Sequence, residues 1–224
     1  MPASRPTILL TGFGPFPGIP ENLTSRLVPE VAQRAIRRFR GHAVVSEIFP
    51  TEWTRAPQRL DELYQQHSPK LVLHFGVSER ATGFQIETTA FNRCLSLTDA
   101  AGCLPSALEI DPAGSASMST RLPAEDIVAR LRSLNLPASL SPDAGSYLCN
   151  SIFYRTLHHA AALPRAAVAG FVHIPAKLDD SAGVQADAAR PFDWNAALLG
   201  SLEIIRVCLG LAPRTHGRSA SGKV

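Results

Sequence analysis

The chain of 224 residues is 45% hydrophobic and 18% charged, with a formal net charge of +3. These values fit one globular domain with a substantial core and leave too little length for two ordinary ones. The charge is too small, and the basic residues too scattered, for an electrostatic nucleic-acid binder; the densest run, Arg34 to Arg40, has the spacing of a solvated helix face.

In chain order, the apolar segment Thr7 to Leu10 reads as a first strand. It runs into Gly12-Phe-Gly-Pro-Phe-Pro-Gly18, which has the look of a phosphate-binding turn but fails its tests. No Gly-Lys-Ser/Thr follows. Gly12, Gly14 and Gly18 are spaced one residue too long for a dinucleotide loop. Pro15 and Pro17 remove two backbone donors that a phosphate would need. What the loop offers is Phe13 and Phe16 on a constrained backbone, suited to an apolar, planar guest. Gly12 and Pro15 also break the apolar start before it can act as a signal-peptide core, and no stretch reaches the roughly 20 apolar residues of a membrane span. A soluble, cytoplasmic-type chain with no membrane partner is expected.

Leu23 to Phe39 carries Leu27, Val31, Ala35 and Phe39 at helical spacing, and Thr54 to Gln66 carries Leu60, Leu63 and Tyr64 on one face. Strands are expected at Ala43 to Phe49, Leu71 to Phe75, Phe84 to Ala90 and Ala167 to His173. Arg93 to Arg121 reads as one long loop, more often functional or interfacial than idle. Leu122 opens a helix to about Leu134, since Pro123 and the acids behind it suit a helix start. Further helices follow Cys149 and span Trp194 to Gly210; the polar tail from Pro213 is expected to be disordered. Strands alternating with helices predict an α/β fold, a single-domain three-layer α/β/α sandwich over residues 1–212 with a largely parallel, mixed sheet.

Four cysteines, Cys94, Cys103, Cys149 and Cys208, form no Cys-x-x-Cys pair and have no His at metal-ligand spacing, so neither zinc nor a disulfide framework is indicated. Cys149 stands where a loop turns into an amphipathic helix. Unpaired N–H groups and the positive dipole end there favour a thiolate and could hold an oxyanion. A small buried core cysteine is the ordinary alternative, and it is the reading for the other three. His173 ends an apolar run at the C-terminal edge of a strand, where open α/β folds collect their sites, and is the best-placed of seven histidines to carry a proton. His74 reads as a hydrogen-bonded core residue. Glu87 interrupts a half-buried strand, either facing solvent or orienting a histidine.

These segments together resemble the pyroglutamyl peptidase I family of cysteine exopeptidases. Gly12-Phe-Gly-Pro-Phe-Pro-Gly18 followed by Asn22 is similar to the family's opening motif. His74-Phe-Gly-Val-Ser78, with Ala81, Thr82 and Glu87, resembles the segment of the catalytic Glu. Ala144-Gly-Ser-Tyr-Leu-Cys-Asn150 resembles that of the nucleophile, and Gly170-Phe-Val-His-Ile-Pro175 that of the catalytic His. The resemblance implies a Cys149, His173 and Glu87 triad without metal or organic cofactor, acting on peptides with an N-terminal pyroglutamate. It implies that Phe13 and Phe16 flank the lactam ring, with Asn22, Val77 and Leu148 at the same slot, and that the chain forms dimers or tetramers. Departures are Pro17 for a common Gly, Val77 where bacterial relatives often carry Gln, Ala176 and Lys177 after His-Ile-Pro, and an assisting Arg for which Arg93 is the available candidate. Two other readings share these residues: a thiol hydrolase for another small lactam or amide, and an inactive relative that binds ring-capped peptides.

Overall fold

A computed structural model describes residues 5–162, 167–178 and 192–212; the tail from Pro213 lies outside the described residues. In chain order the elements are β1 (Thr7–Phe13), α1 (Thr24–Arg38), β2 (Ala43–Phe49), α2 (Arg55–His67), β3 (Leu71–Ser78), β4 (Phe84–Glu87), β5 (Thr89–Phe91), β6 (Ser117–Ser119), α3 (Ala124–Arg132), β7 (Ala138–Ser141), α4 (Leu148–Ala162), β8 (Val168–Pro175) and α5 (Trp194–Cys208). Six strands form one sheet in the order β2-β1-β3-β8-β4-β7. Pairing is parallel throughout except between β4 and β8.

The central strands are apolar on both faces because both are covered. Ile8, Leu10, Leu71, Leu73, Phe75, Val172 and Ile174 pack on one side with α1, α3 and α5. Leu9, Phe13, Val72, Ala169 and Phe171 pack on the other with α2 and α4. The predicted stripe on α1 is buried, and Val28 and Ala32 widen it; each large side chain so buried contributes about 1.5–3 kcal/mol. Asp193 caps α5 by accepting the Ala196 N–H at 2.7 Å, one of the orphan donors of a helix start. No described helix is long and apolar enough to cross a membrane.

Two local expectations are corrected. The strand read as Phe84 to Ala90 is broken at Thr88, whose N–H and Oγ1 both donate to Ser141 O, at 2.8 and 3.1 Å. Past that point the chain leaves the main sheet, and β5 pairs with β6 as a separate antiparallel ribbon. Arg93 to Arg121 is therefore not all loop, since β6 lies within it. The edge strand β7 was not foreseen: Ala-Ser-Leu-Ser is only 4 residues long, and its one large apolar side chain, Leu140, is exposed.

Candidate active site

The parallel strands β1, β3 and β8 end together, and the antiparallel β4 begins at that same edge. His173 on β8 is flanked in register by Gly76 on β3 and Gln85 on β4. Residues directly opposite in a sheet share a face, so all three positions look toward α4.

Cys149 is the second residue of α4, in the turn whose N–H groups have no intrahelical acceptor. The preceding loop is held open for it. Asp143 accepts the Gly145 N–H at 2.9 Å through Oδ1 and Arg93 at 2.8 Å through Oδ2, while Arg93 also donates to Ser146 Oγ at 3.0 Å. Gly145 turns the chain at φ +87°, in the left-handed region that glycine reaches without a Cβ penalty. Buried Asn150 locks the helix start to β5: it accepts the Phe91 N–H at 2.8 Å and donates to Phe91 O and Arg93 O at 2.7 and 3.0 Å. Gly76 makes room beneath, since a Cβ there would stand 3.2 Å from Cys149 Sγ and 2.8 Å from the Phe171 ring.

His173 Nδ1 lies 2.8 Å from Glu87 Oε1. Both groups are buried, the carboxylate 1% exposed. Burial pulls the imidazole pKa down, but the thiol of Cys149 and the carboxylate of Glu87 outweigh it and raise it from 6.5 to about 9. Glu87 Oε2 is buried with no hydrogen-bond partner, so the imidazolium is the compensation that the carboxylate has. His74, by contrast, is fully buried between Thr11 Oγ1 at 2.6 Å and Thr156 Oγ1 at 2.7 Å, and burial pushes its pKa down to about 3. It is the neutral core residue expected of it.

Cys149, His173 and Glu87 line one cleft of about 640 Å³ with Phe16, Val77, Gln85 and Tyr147. The rings of Phe16 and Tyr147 pack against each other, 5.8 Å apart at 41°, and form one aromatic side of the cleft. Tyr147 is braced from behind: its ring meets Trp53 edge-on at 5.1 Å, its hydroxyl donates to Thr98 O at 3.1 Å, and Trp53 Nε1 donates to Leu97 O at 2.9 Å. Burial, Asp99 and Cys149 push the Tyr147 hydroxyl up to about 12, so it remains a neutral donor.

Three residues expected at the slot lie elsewhere. Phe13 continues the Leu9 and Thr11 face of β1 into the core and packs against Phe49 and Phe171 at 5.9 and 6.0 Å; it is not a wall of the cleft. Leu148 is fully buried in the same cluster, because the first turn of α4 rests on the sheet. Asn22 shapes the loop instead of lining it, donating to Gly14 O at 3.2 Å and accepting from Thr24 N and Oγ1. Tyr147, Asn150 and Gln85 escaped the sequence reading. A tyrosine two residues before a candidate nucleophile was the one available signal for the first.

The sequence profile of the pyroglutamyl peptidase family matches residues 6–191. A pyrrolidone-carboxylate peptidase of Bacillus cereus is 31% identical over 170 residues, 75% of this chain and 78% of the relative. One of Gloeobacter violaceus is 33% identical over 170 residues, 75% and 80% of the two chains. Among solved structures, a mutant pyrrolidone carboxyl peptidase of the hyperthermophile Pyrococcus furiosus has a TM-score of 0.78 at 26% identity, covering 91% of this chain and 98% of that one. Pyroglutamyl peptidase I of Bacillus amyloliquefaciens has a TM-score of 0.76 at 26% identity, covering 91% and 96%. Matches of this extent, in sequence and over nearly the full length of the solved relatives, place the chain in the pyroglutamyl peptidase family.

Proposed function

We propose that the protein is a cysteine exopeptidase that removes pyroglutamate from the N-terminus of peptides, with Cys149 as nucleophile, His173 as proton carrier and Glu87 as the group that orients and charges it. The observation that carries this reading is that Cys149, at a helix start, shares one cleft with His173 and Glu87, whose Nδ1 and Oε1 are 2.8 Å apart. The thiolate is the reactive form of cysteine, and a neighbouring imidazole is the group that takes the thiol proton.

The pyroglutamyl ring lies against the aromatic side of the cleft that Phe16 and Tyr147 form together. It is flat and uncharged, so an apolar slot accepts it, whereas a free N-terminal Gln or Glu would bring an unpaired ammonium inside. Cys149 Sγ attacks the carbonyl carbon, and its oxygen takes the negative charge toward the unpaired N–H groups of the first turn of α4. His173 gives its proton to the leaving nitrogen as the C–N bond breaks, and a pyroglutamyl thioester remains. His173, now neutral, takes a proton from water; the resulting hydroxide equivalent attacks the thioester, the C–S bond breaks and pyroglutamic acid leaves.

A cytoplasmic location and a homo-oligomer, dimer or tetramer, complete the reading. Exposed Leu95, Leu97, Leu104 and Leu108 on the segment after β5 support an interface there, which sedimentation of the wild type and a Leu104→Glu, Leu108→Glu variant would test. The activity is tested by amine release from pyroglutamyl-aminomethylcoumarin under reducing conditions. Turnover by the wild type and none by Cys149→Ala is expected; an inert, folded wild type sinks the assignment.

A further inference from the structure

We infer that Gln85 binds the peptide that leaves, hydrogen-bonding the main chain of the first residue after pyroglutamate; this rests on the pyroglutamyl-peptidase reading above. The sheet order sets the direction. Cys149 Sγ sits over Gly76 on β3, His173 is the next residue across on β8, and Gln85 is the next again on β4. A scissile bond lying over this row has its carbonyl carbon at Cys149 and its nitrogen at His173. The acyl ring therefore extends back toward β3 and β1, where Val77 and Phe16 make an apolar wall. The amine side must extend the other way, over β4 and toward β7.

That second half of the cleft differs in chemistry. Its lining is Gln85, Ser141 and Asp143, polar groups suited to a peptide main chain and unsuited to a lactam ring. Asp143 is already committed to Arg93 and Gly145, and Ser141 Oγ to Asp143 O at 3.3 Å. Gln85 is half-buried in the cleft and makes no side-chain hydrogen bond among the described residues. Its carboxamide has a donor and an acceptor on one plane. It can donate to the carbonyl of the first leaving residue and accept the N–H that follows, the pair of groups that an extended peptide presents. In the free protein this half-buried amide is left to water, and a substrate main chain that enters the cleft can replace that water on both groups.

The test compares kcat/KM for pyroglutamyl-alanyl-alanine with that for pyroglutamyl-aminomethylcoumarin, which has an amine leaving group but no peptide main chain, in the wild type, Gln85→Met and Gln85→Ala. The ratio is internal to each preparation, so a misfolded fraction cancels. The peptide-to-coumarin ratio is expected to fall roughly three- to tenfold in both variants, mostly through KM, the range that one or two neutral hydrogen bonds supply. A structural role for Gln85 would lower both substrates alike; an unchanged or increased ratio overturns the inference. Should a variant lose all turnover, the wild type decides with a peptide N-methylated at the second leaving residue. A similar fall is expected there, and equal cleavage of the methylated and parent peptides overturns the inference. A wild type that cleaves neither parent substrate removes the activity itself, a different failure from cleavage of both with an indifferent Gln85.

Discussion

Glu87 and His173 face each other across the single antiparallel pairing of the main sheet, 2.8 Å apart and both buried. Glu87 is opposite Phe171 in register, one same-face position deeper than His173, so its carboxylate reaches the imidazole from below and leaves the outer ring nitrogen for the cleft. Reversal of β4 alone brings the acid to the strand edge where the histidine ends.

Glu87→Gln keeps the shape and removes the charge. We expect kcat to fall by roughly 10⁴, as when a triad carboxylate becomes an amide, with KM little altered. The alkaline limb of the pH profile, set by His173 at about 9, should move down by about a unit or more, because the amide no longer holds the imidazolium. A profile superimposable on the wild type would contradict this role.

Two histidines shape stability against pH in opposite directions. His173 has a folded pKa of about 9 against 6.5, so its contribution is complete below pH 6.5 and is lost as pH rises through 9. His74 has a folded pKa of about 3 against 6.5, so its contribution is present above 6.5 and is lost as pH falls toward 3. Stability should peak near pH 6–7 and fall by a few kcal/mol, in order of magnitude, on each side. Urea unfolding from pH 5 to 9 measures it, and a monotonic rise to pH 9 would contradict the His173 assignment.

Gly76→Ala places a methyl 2.8 Å from the Phe171 ring and 3.2 Å from Cys149 Sγ. Overpacking of this kind costs about 1–3 kcal/mol. Because the displaced atom is the proposed nucleophile, kcat should drop further than the fraction of folded protein explains. Thermal unfolding measured with active-site titration separates the two, and full specific activity would count against the close approach.

Phe16→Ala and Phe13→Leu separate wall from core. The first removes a ring from the cleft and should raise KM roughly 10-fold or more at little cost in stability, the scale of one large side chain's burial. The second should cost roughly 1–3 kcal/mol of stability and leave KM within about twofold. Unfolding midpoints and steady-state kinetics on both variants check the exchange; the reverse pattern would restore Phe13 to the slot.

Much of this was legible in the residues. Apolar runs such as Ile8–Leu10 and Leu71–Phe75 announced strands covered on both faces, and the 3.6-residue stripe of α1 announced its buried side. Cys149, His173 and Glu87 could be singled out because each carries reactive chemistry at a local boundary: a helix start, a strand end, an acid in an apolar strand. Phe13 packs on the inner face that strand alternation with Leu9 and Thr11 gives it, against Phe49 and Phe171; the loop's paired aromatics alone do not carry that information. The parts of Tyr147, Asn150 and Gln85 depend on which segment stands opposite each, Phe16, Phe91 and His173 in turn. No local pattern encodes such pairings, and the break at Thr88 is fixed by Ser141, which is 53 positions away in sequence.

The most direct measurement is mass spectrometry of the enzyme acid-quenched during turnover of pyroglutamyl-aminomethylcoumarin, with the modified peptide sequenced. The mechanism predicts one pyroglutamyl group in thioester linkage on Cys149. Turnover with the adduct on Cys94, Cys103 or Cys208 instead would contradict it.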